Sequence, residues 1–448
     1  MSRSNPFWTA QRPGIAWRDD DVLAAIGWLT STIESQKWLE RIEATRSEFE
    51  ARKRRWAQHP GELLYDPSDA IAWYIFQANA YAVERHHWFE PDAYRITPLL
   101  KRLGQLLPHL DAVDGCMDRV HSLMTHGKSR PDDGLYELLV AGAYKRHWPE
   151  VSFVPERPGL EKTQDILVKA PRRRWAVECK RVNRSAYEKE ERRSAELLSR
   201  RVHDFCREKG RSVVLTVSFQ VELALVSDSY LAEKAASCIG AGKPVGWTED
   251  VSIGVVKEVD WRLAQAVLRT DDVFFGSSRM IELLLGHYDN SADYSIEGDW
   301  TPSVTHPLHA TQMSRASLVG WKSRSREAAR RKAKHFRAMV AKANAQLPGD
   351  CPGVIHVGYE ATIGNSEDRL RHLFNTREIR SFDPGASRLR WVYGNYMWPE
   401  HTNHPNESLA ISETMAPYKV GRHRVAGPLP GHLLFLDDQG RPGSHWVH

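Results

Sequence analysis

Cysteine is scarce in this sequence of 448 residues, and no two cysteines form a CxxC pair. Five are present, at positions 116, 179, 206, 238 and 351. That spacing excludes a zinc ribbon and a disulfide framework, and isolated thiols are typical of a reducing compartment. The opening residues, MSRSNPFWTAQRPG, lack the apolar core of a secretion signal, and the apolar run at 22–29 is far shorter than a membrane span of about 20 residues. We therefore expect a cytoplasmic protein that does not enter a membrane.

Several catalytic motifs are also missing. CIGAGKPVG (238–246) resembles a phosphate loop only in part, because Pro244 follows the lysine where Ser or Thr is needed and the first glycine is absent. HTNHPN (401–406) predicts a polar loop rather than a histidine-metal nuclease site, since Pro405 interrupts it and no ββα pattern follows. ERHHW (84–88) predicts helix packing. No Gly-x-Ser-x-Gly elbow occurs, so neither P-loop nor serine-hydrolase chemistry is indicated.

The composition is that of a soluble globular protein, with 41% hydrophobic residues, 27% charged residues and a net charge of +5. Residues 1–130 have apolar residues at helical spacing and predict an all-helical N-terminal domain, in which Pro98 and Pro108 are expected to break the helices. HGKSRPDDG (126–134) marks a boundary. We predict a second domain over 131–360 and a C-terminal segment over 361–448 that is irregular and partly β, with RLRWVYG and HLLFLDD as short strands.

The pattern over residues 131–225 predicts the order helix, three strands, helix, strand. DGLYELLVAGAYKRHW reads as a helix, VSFVPE as a strand, and QDILVKA and RWAVECK as a hairpin joined by PRRR. A long charged helix and the apolar strand RSVVLTVSFQVEL follow. We interpret about 245–320 as an insertion, with VSIGVVKEV (251–259) as a strand and a loop-rich stretch from there to about 320, and 322–360 as a basic helix and a strand.

The hairpin carries the residues with the clearest chemistry. Side chains two apart on a strand lie on one face, about 6.6 Å from each other, so Glu178 and Lys180 point the same way and a hairpin can bring Asp165 beside them. Two carboxylates and the carbonyl of Cys179 are hard oxygen ligands that suit Mg²⁺. Lys180 can orient a water molecule or offset phosphate charge. A surface ion pair is the alternative for Glu178 and Lys180 alone.

This pattern resembles the motif of the PD-(D/E)xK nuclease superfamily. It is written here as Gln164-Asp165, twelve residues, then Glu178-Cys179-Lys180, with Gln164 in place of the family's proline. The resemblance covers about residues 131–225. It implies an α/β protein with a restriction-endonuclease-like αβββαβ core that carries the motif on its second and third strands.

The resemblance also implies roles for these residues. Asp165, Glu178 and Lys180 are the expected catalytic residues, and Asp165, Glu178 and the Cys179 carbonyl are expected to bind Mg²⁺, for which Mn²⁺ can substitute. Many members carry a further metal-facing glutamate on the first helix, and Glu137 in LYELLVAGAY is the matching residue. A helix-surface acid is the alternative for Glu137.

Basic residues near the motif and in the helix at 322–342 predict a polyphosphate partner. The expected contacts are Arg172, Arg173, Arg174, Arg181, Arg330, Arg331 and Lys334, with a solvated helix face as the alternative for any one of them. We therefore expect a metal-dependent nuclease that cleaves nucleic acid, with DNA favoured. The alternatives are a catalytically silent binding or scaffolding subunit, and a nuclease held inactive within a larger assembly. The N-terminal helices are the candidate surface for a protein partner or a homo-oligomer.

Overall fold

The structure is a computed structural model that describes residues 18–56, 62–83, 87–155, 163–182, 185–289, 291–360, 365–404, 407–429 and 434. The first elements are helices: α1 (Asp20–Thr30), α2 (Ser35–Arg55), α3 (Ala70–Ala82), α4 (Glu90–Leu110), α5 (Cys116–Thr125) and α6 (Pro131–Lys145). The predicted hairpin region follows: β1 (Glu150–Phe153), β2 (Ile166–Ala170), β3 (Arg173–Arg181) and α7 (Ala186–Lys209).

The next stretch contains β4 (Val213–Phe219), α8 (Tyr230–Ser237), β5 (Val245–Thr248), β6 (Ser252–Glu258), α9 (Trp261–Leu268), β7 (Val273–Phe274), α10 (Ser278–Leu285), β8 (Asp293–Pro302) and β9 (His309–Ser323). The chain continues through α11 (Arg326–Asn344), β10 (Gly353–Glu360), α12 (Asn365–Arg380), β11 (Leu389–His404) and β12 (Glu407–Lys419). The elements form a mixed α/β fold with two mixed sheets, which confirms the predicted α/β class at that level. Every helix among the described residues is too short or too polar to cross a lipid bilayer.

The first sheet has the strand order β1-β2-β3-β10-β11-β12. Strands β1, β2 and β3 form an antiparallel meander, β10 runs parallel to β3 and β11, and β12 closes the sheet antiparallel to β11. One face of β3 packs against the N-terminal helices through Trp175, Val177 and Cys179. Ala176 faces the other way, toward Phe336 of α11. The motif strand therefore lies inside the protein, with helices on both faces.

The second sheet contains a strand that the sequence analysis placed in the first. RSVVLTVSFQVEL (211–223) was expected to supply the last core strand, but β4 pairs with β6 and β9 in the order β5-β6-β4-β9-β7, with β8 on β9. The neighbour of β3 is β10, in which Ile355 pairs with Glu178. Both β4 and β10 are apolar strands that follow a charged helix, so composition alone does not distinguish their partners.

Two further expectations about local structure were wrong. VSIGVVKEV contains β6, as predicted, but the stretch from there to about 320 is not loop-rich, since it holds α9, β7, α10, β8 and most of β9. Helix α4 continues through Pro98 and Pro108. Its face formed by Ile96, Leu100 and Leu103 is fully buried, and this packing outweighs the about 3 kcal/mol that an internal proline costs a helix.

The predicted irregular C-terminal segment is more regular than expected. RLRWVYG lies in β11, and β11 and β12 extend the motif sheet as a long hairpin. HLLFLDD lies outside the described residues apart from Leu434. One hydrophobic cluster extends from Val22 of α1 through the helices to Val177 of β3 and Met397 of β11. The N-terminal helices and the first sheet therefore share a core.

The packing of β10 under α6 can be tested at Gly358. A Cβ atom there would lie 2.5 Å from the ring of Tyr136, which is buried and hydrogen-bonded to Asn395. We expect Gly358→Ala to lower the free energy of unfolding by about 1–3 kcal/mol, because the ring has little room to move. Urea denaturation measures this loss.

Gly246→Ala is the matched control, since its Cβ would meet only the carbonyl of Gly254 at 3.8 Å. We expect a change within about 0.5 kcal/mol for this variant. Equal losses in the two variants would contradict the described contact between β10 and α6.

Candidate functional site

Asp165 and Glu178 come together at the open end of the β2–β3 hairpin. The register pairs Ile166 with Val177, so the next residues outward, Asp165 and Glu178, lie opposite each other on one face. The backbone N–H of Cys179 donates to Asp165 Oδ2 at 2.7 Å. The two carboxyl groups are also within hydrogen-bond reach of each other. The hairpin therefore places the two predicted ligands side by side.

Lys180 lies on the same face as Glu178, as the strand periodicity predicts. Its Nζ forms an ion pair with Glu178 Oε1. Glu178 is fully buried, whereas the Lys180 side chain keeps 20% of its surface exposed. The strand ends soon afterwards, and a capping box between Ser185 and Glu188 begins α7. Lys180 thus lies between the buried carboxylates and solvent.

Glu137 approaches the pair from α6. That helix begins with Pro131 at its first turn, followed by Asp132 and Asp133, as is typical of a helix N-terminus. The Glu137 side chain pairs with Arg119 of α5, and Arg119 Nη2 lies 3.5 Å from Asp165 Oδ1. Arg119 therefore links Glu137 to the hairpin.

We call Glu137, Asp165 and Glu178 the carboxylate cluster. The structure brings all three side chains close to one another and to the backbone of Cys179. Arg119 could not be predicted from the sequence, because it lies in the short helix segment CMDRVHSLM, where no spacing or composition distinguishes it from a surface arginine. Only the packing of α5 against α6 places it at the cluster.

Burial makes these carboxyl groups hard to ionise. Burial and the neighbouring charge of Asp165 raise the pKa of Glu178 to about 8, although Lys180 opposes the shift. Burial and Asp165 likewise raise the pKa of Glu137 to about 8, against the effect of Arg119. Burial also raises the pKa of Asp165, while Lys180 and the Cys179 N–H oppose it. The cluster therefore holds protons at neutral pH.

Lys180 shows the complementary effect. Burial alone lowers the pKa of its ammonium group, but the charge and hydrogen bond of Glu178 and the charge of Asp165 outweigh burial and raise that pKa above its usual value. Lys180 is therefore a cation throughout the physiological pH range and is not a general base. In this state it can donate hydrogen bonds to a water molecule or an anionic oxygen.

The donor atoms suit a hard divalent cation. Glu178 Oε2 is buried, and no group among the described residues donates to it while both acids are ionised. Ala176 and Val182 direct their N–H groups to the β10 side of β3, so the alternation along the strand directs the Cys179 carbonyl to the Asp165 side. Carboxylate and carbonyl oxygens are the ligands that Mg²⁺ and Mn²⁺ prefer.

The predicted phosphate-binding arginines are not all at this site. Arg172, Arg173 and Arg174 are exposed in and beside the β2–β3 turn, at the other end of the strands. Four residues of strand, about 13 Å, separate Arg174 from Glu178. Arg181 lies closer, because its charge and that of Lys180 act on Asp133 of α6. Of these four arginines, only Arg181 is near the cluster.

Helix α11 presents fewer free charges than its sequence indicates. Arg331 pairs with Glu222 at 3.1 Å and covers the Tyr187 ring, and Arg330 pairs with Glu327 at 2.7 Å. Lys334 is exposed. Since Tyr187 belongs to the first turn of α7, which follows β3 directly, this part of α11 lies at the same end of the sheet as Glu178.

In comparisons with known proteins, the sequence matches no protein family, no curated protein and no solved structure. The geometry and charge of the carboxylate cluster are therefore what indicate a function.

The raised pKa of Glu178 can be tested through stability. Because its folded-state pKa of about 8 exceeds its usual value of 4.5, ionising Glu178 costs the folded state stability as pH rises through this range. Glu178→Gln removes that cost. We expect the variant to gain stability relative to the unaltered chain between pH 5 and pH 9, by about 1 kcal/mol or more, in EDTA.

Urea denaturation across this pH range measures the difference. The control is Glu150→Gln, at an exposed glutamate on β1 that pairs with Lys169, for which no comparable trend is expected. A Glu178→Gln difference that stays constant from pH 5 to pH 9 would show that Glu178 ionises normally.

Proposed function

We propose that this protein is a divalent-metal-dependent nuclease whose active site is the carboxylate cluster with Lys180. The observation that carries the proposal is the crowding of acids: the fully buried Glu178 and the largely buried Asp165 and Glu137 meet only two cations, Arg119 and Lys180, so that they hold protons when no metal is bound, and Glu178 Oε2 has no donor among the described residues. A bound divalent cation would relieve this crowding. The protein pays for such clustered acids in stability, which is characteristic of functional sites.

The topology supports a restriction-endonuclease-like core. Helix α6 precedes the meander β1-β2-β3, and the next strand added to that sheet, β10, runs parallel to β3 after helix α11. This gives the order αβββαβ, with the second sheet inserted between α7 and α11. The motif lies immediately before the second strand, at Asp165, and on the third strand, at Glu178–Lys180, close to the arrangement that the resemblance implies.

The residues fit distinct roles in phosphodiester hydrolysis. Asp165, Glu178 and the Cys179 carbonyl would hold Mg²⁺ or Mn²⁺, and Glu137 would complete the acidic side of the site. The metal ion supplies charge neutralisation and a more acidic bound water. Lys180 donates hydrogen bonds that orient the attacking water or stabilise the phosphate oxygens. Arg119 fixes the positions of Glu137 and Asp165.

Nucleic acid is the substrate class that matches the surrounding charge, and we favour DNA. Arg181 lies beside the cluster, and Arg330 and Lys334 extend positive charge along α11 at the same end of the sheet. Basic side chains of this kind bind the phosphate backbone irrespective of sequence. The N-terminal helices and the second sheet would then provide substrate selection or a surface for a protein partner.

A catalytically silent nucleic-acid-binding or scaffolding subunit is the second candidate function. One observation favours it: Arg119 contacts both Glu137 and Asp165, so a guanidinium group already provides positive charge where a metal ion would act. In such a protein the cluster would be a structural ion-pair network. Metal binding and cleavage distinguish the two functions.

Two substitutions at the cluster test the chemistry. We expect Lys180→Ala and Glu178→Gln each to lower Mg²⁺-dependent cleavage by about 10²-fold or more, the cost of losing one preorganised electrostatic group. Only Glu178→Gln should also weaken Mg²⁺ binding, because it removes a charged ligand. The assays are cleavage of single- and double-stranded DNA and RNA with Mg²⁺ or Mn²⁺, and calorimetric titration of Mg²⁺.

Lys169→Ala is the control, at an exposed lysine of the same hairpin that pairs with Glu150, and it should keep full activity. Cleavage that survives both cluster substitutions would place the active site elsewhere. Mg²⁺ binding by the unaltered chain without cleavage of any substrate would favour the silent subunit.

The position of bound nucleic acid can be tested by removing basic residues at the two ends of the first sheet and comparing the loss of DNA binding. We expect Arg330→Gln/Lys334→Gln to weaken DNA binding for all sequences, and to reduce the magnitude of the slope of log K against log salt by about 0.9 for each lost phosphate contact. The matched pair Arg172→Gln/Arg173→Gln removes the same charge at the turn, away from Glu178. A larger effect at the turn would place the nucleic acid at the end of the strands opposite Glu178, too far away for cleavage at the cluster.

A further inference from the structure

A second group of metal-ligand side chains lies in the other sheet. Asp272 immediately precedes β7, and His306 and His309 lie in the turn that leads into β9 and at its first residue. His306 Nδ1 is 2.8 Å from Asp272 Oδ2, and His309 Nδ1 is 3.1 Å from Asp272 Oδ1. One ligand atom from each residue lies within 4.8 Å of the others. We propose that Asp272, His306 and His309 form a transition-metal site, with Zn²⁺ as the metal.

The donor set is that of zinc. Two imidazole nitrogens and one carboxylate oxygen, with water in a fourth position, is a common arrangement for Zn²⁺, and it differs from the all-oxygen set at the carboxylate cluster. Bond lengths of about 2.0–2.1 Å place tetrahedral ligands about 3.3–3.4 Å apart. The nitrogen–oxygen distances in this cluster lie a few tenths of an ångström below that value, so small side-chain rotations would admit the ion.

The backbone holds the three residues in place without the ion. In the turn at 303–309, the N–H of Ser303 donates to the carbonyl of His309 and the N–H of His309 donates to the carbonyl of His306, both at 2.8 Å. The strand pairing of Phe274 with His309 holds Asp272, two residues before Phe274, beside this turn. Little conformational entropy would therefore be lost when a metal binds, which favours high affinity.

The group is also accessible. The His306 and His309 side chains retain 33% and 26% of their surface, whereas Asp272 retains 14%. An ion can therefore enter from solvent, and an open coordination position can hold water.

A metal at this position would join the second sheet to the helical layer. The His309 ring lies 5.9 Å from that of Phe274, and Phe274 in turn contacts Trp56 after α2 and Phe89 before α4. Fixing Asp272 to the 303–309 turn would therefore also fix the strand that carries Phe274. Zn²⁺ binding would therefore stabilise the folded state, because binding energy for the folded state adds directly to its stability.

The test is Zn²⁺ binding by the full chain after removal of metals with EDTA. Equilibrium dialysis against Zn²⁺ in a large excess of Mg²⁺, which competes for the carboxylate cluster, followed by metal analysis, should give one tightly bound zinc ion per chain, and Zn²⁺ should raise the midpoint of thermal unfolding. Co²⁺ in place of Zn²⁺ should give the visible absorption of a tetrahedral site.

The variant is His306→Asn/His309→Asn, whose side-chain amides can still donate hydrogen bonds to Asp272 but do not bind zinc well. We expect it to fold, to lose the tight ion with an affinity fall of about 100-fold or more, and to lose the thermal shift. His287→Ala removes an exposed histidine outside the group. This control should keep both the tightly bound ion and the thermal shift. Absence of a tight ion in the unaltered chain, or its retention in the double variant, would overturn the proposal. Neither result depends on nuclease activity.

Discussion

Burying acids next to one another is costly, and the first sheet is arranged around that cost. Glu178 has no exposed surface, and each neighbouring element either adds a negative charge or offsets one. Strand β2 brings Asp165, α6 brings Glu137, and α5 brings the arginine that neutralises part of this charge. A carboxylate at the edge of a sheet would be solvated and would titrate normally. Glu178 is different because β3 lies between two strands and has helices on both faces.

Burial therefore connects the fold to the proposed chemistry. The strands beside β3 and the helices on its two faces exclude water from the carboxylates, and this exclusion makes a divalent cation a strong partner for them. Lys180 remains partly exposed because it is the last charged residue of the motif before the strand ends. The same end of the sheet carries the first turns of α7 and the basic residues of α11, so a substrate phosphate would approach from the side on which positive charge is concentrated.

The sequence predicted what depends on neighbours along the chain. The hairpin that pairs Asp165 with Glu178 follows from two apolar runs and a short turn, and Glu137 follows from the resemblance, which implies an acid on the helix before the hairpin. The role of Arg119 could not be predicted from the sequence, because it depends on how α5 packs on α6. Nothing in the sequence indicated that β10 rather than β4 would lie beside β3, since pairing between distant parallel strands leaves no local pattern.

The group formed by Asp272, His306 and His309 was missed for a related reason. The spacing of His306-Pro-Leu-His309 is visible in the sequence, but Asp272 lies in another segment and meets it only through the pairing of β7 with β9. The continuation of α4 through Pro98 shows the converse effect, in which tertiary packing overrides a strong local signal.

The insertion of the second sheet between β3 and β10 has a consequence for synthesis of the protein. Ala176 pairs with Gly353, so about 180 residues must be made before the motif strand gains its second neighbour, a delay of roughly ten to forty seconds at translation rates of about 5–20 residues per second. During that time, the apolar strand β3 has an unpaired edge, which is a template for association with other chains. The second sheet pairs β4 with β6 and β9 within the same interval. The nascent chain would therefore benefit most from chaperone binding at the β2–β3 hairpin, before β10 emerges.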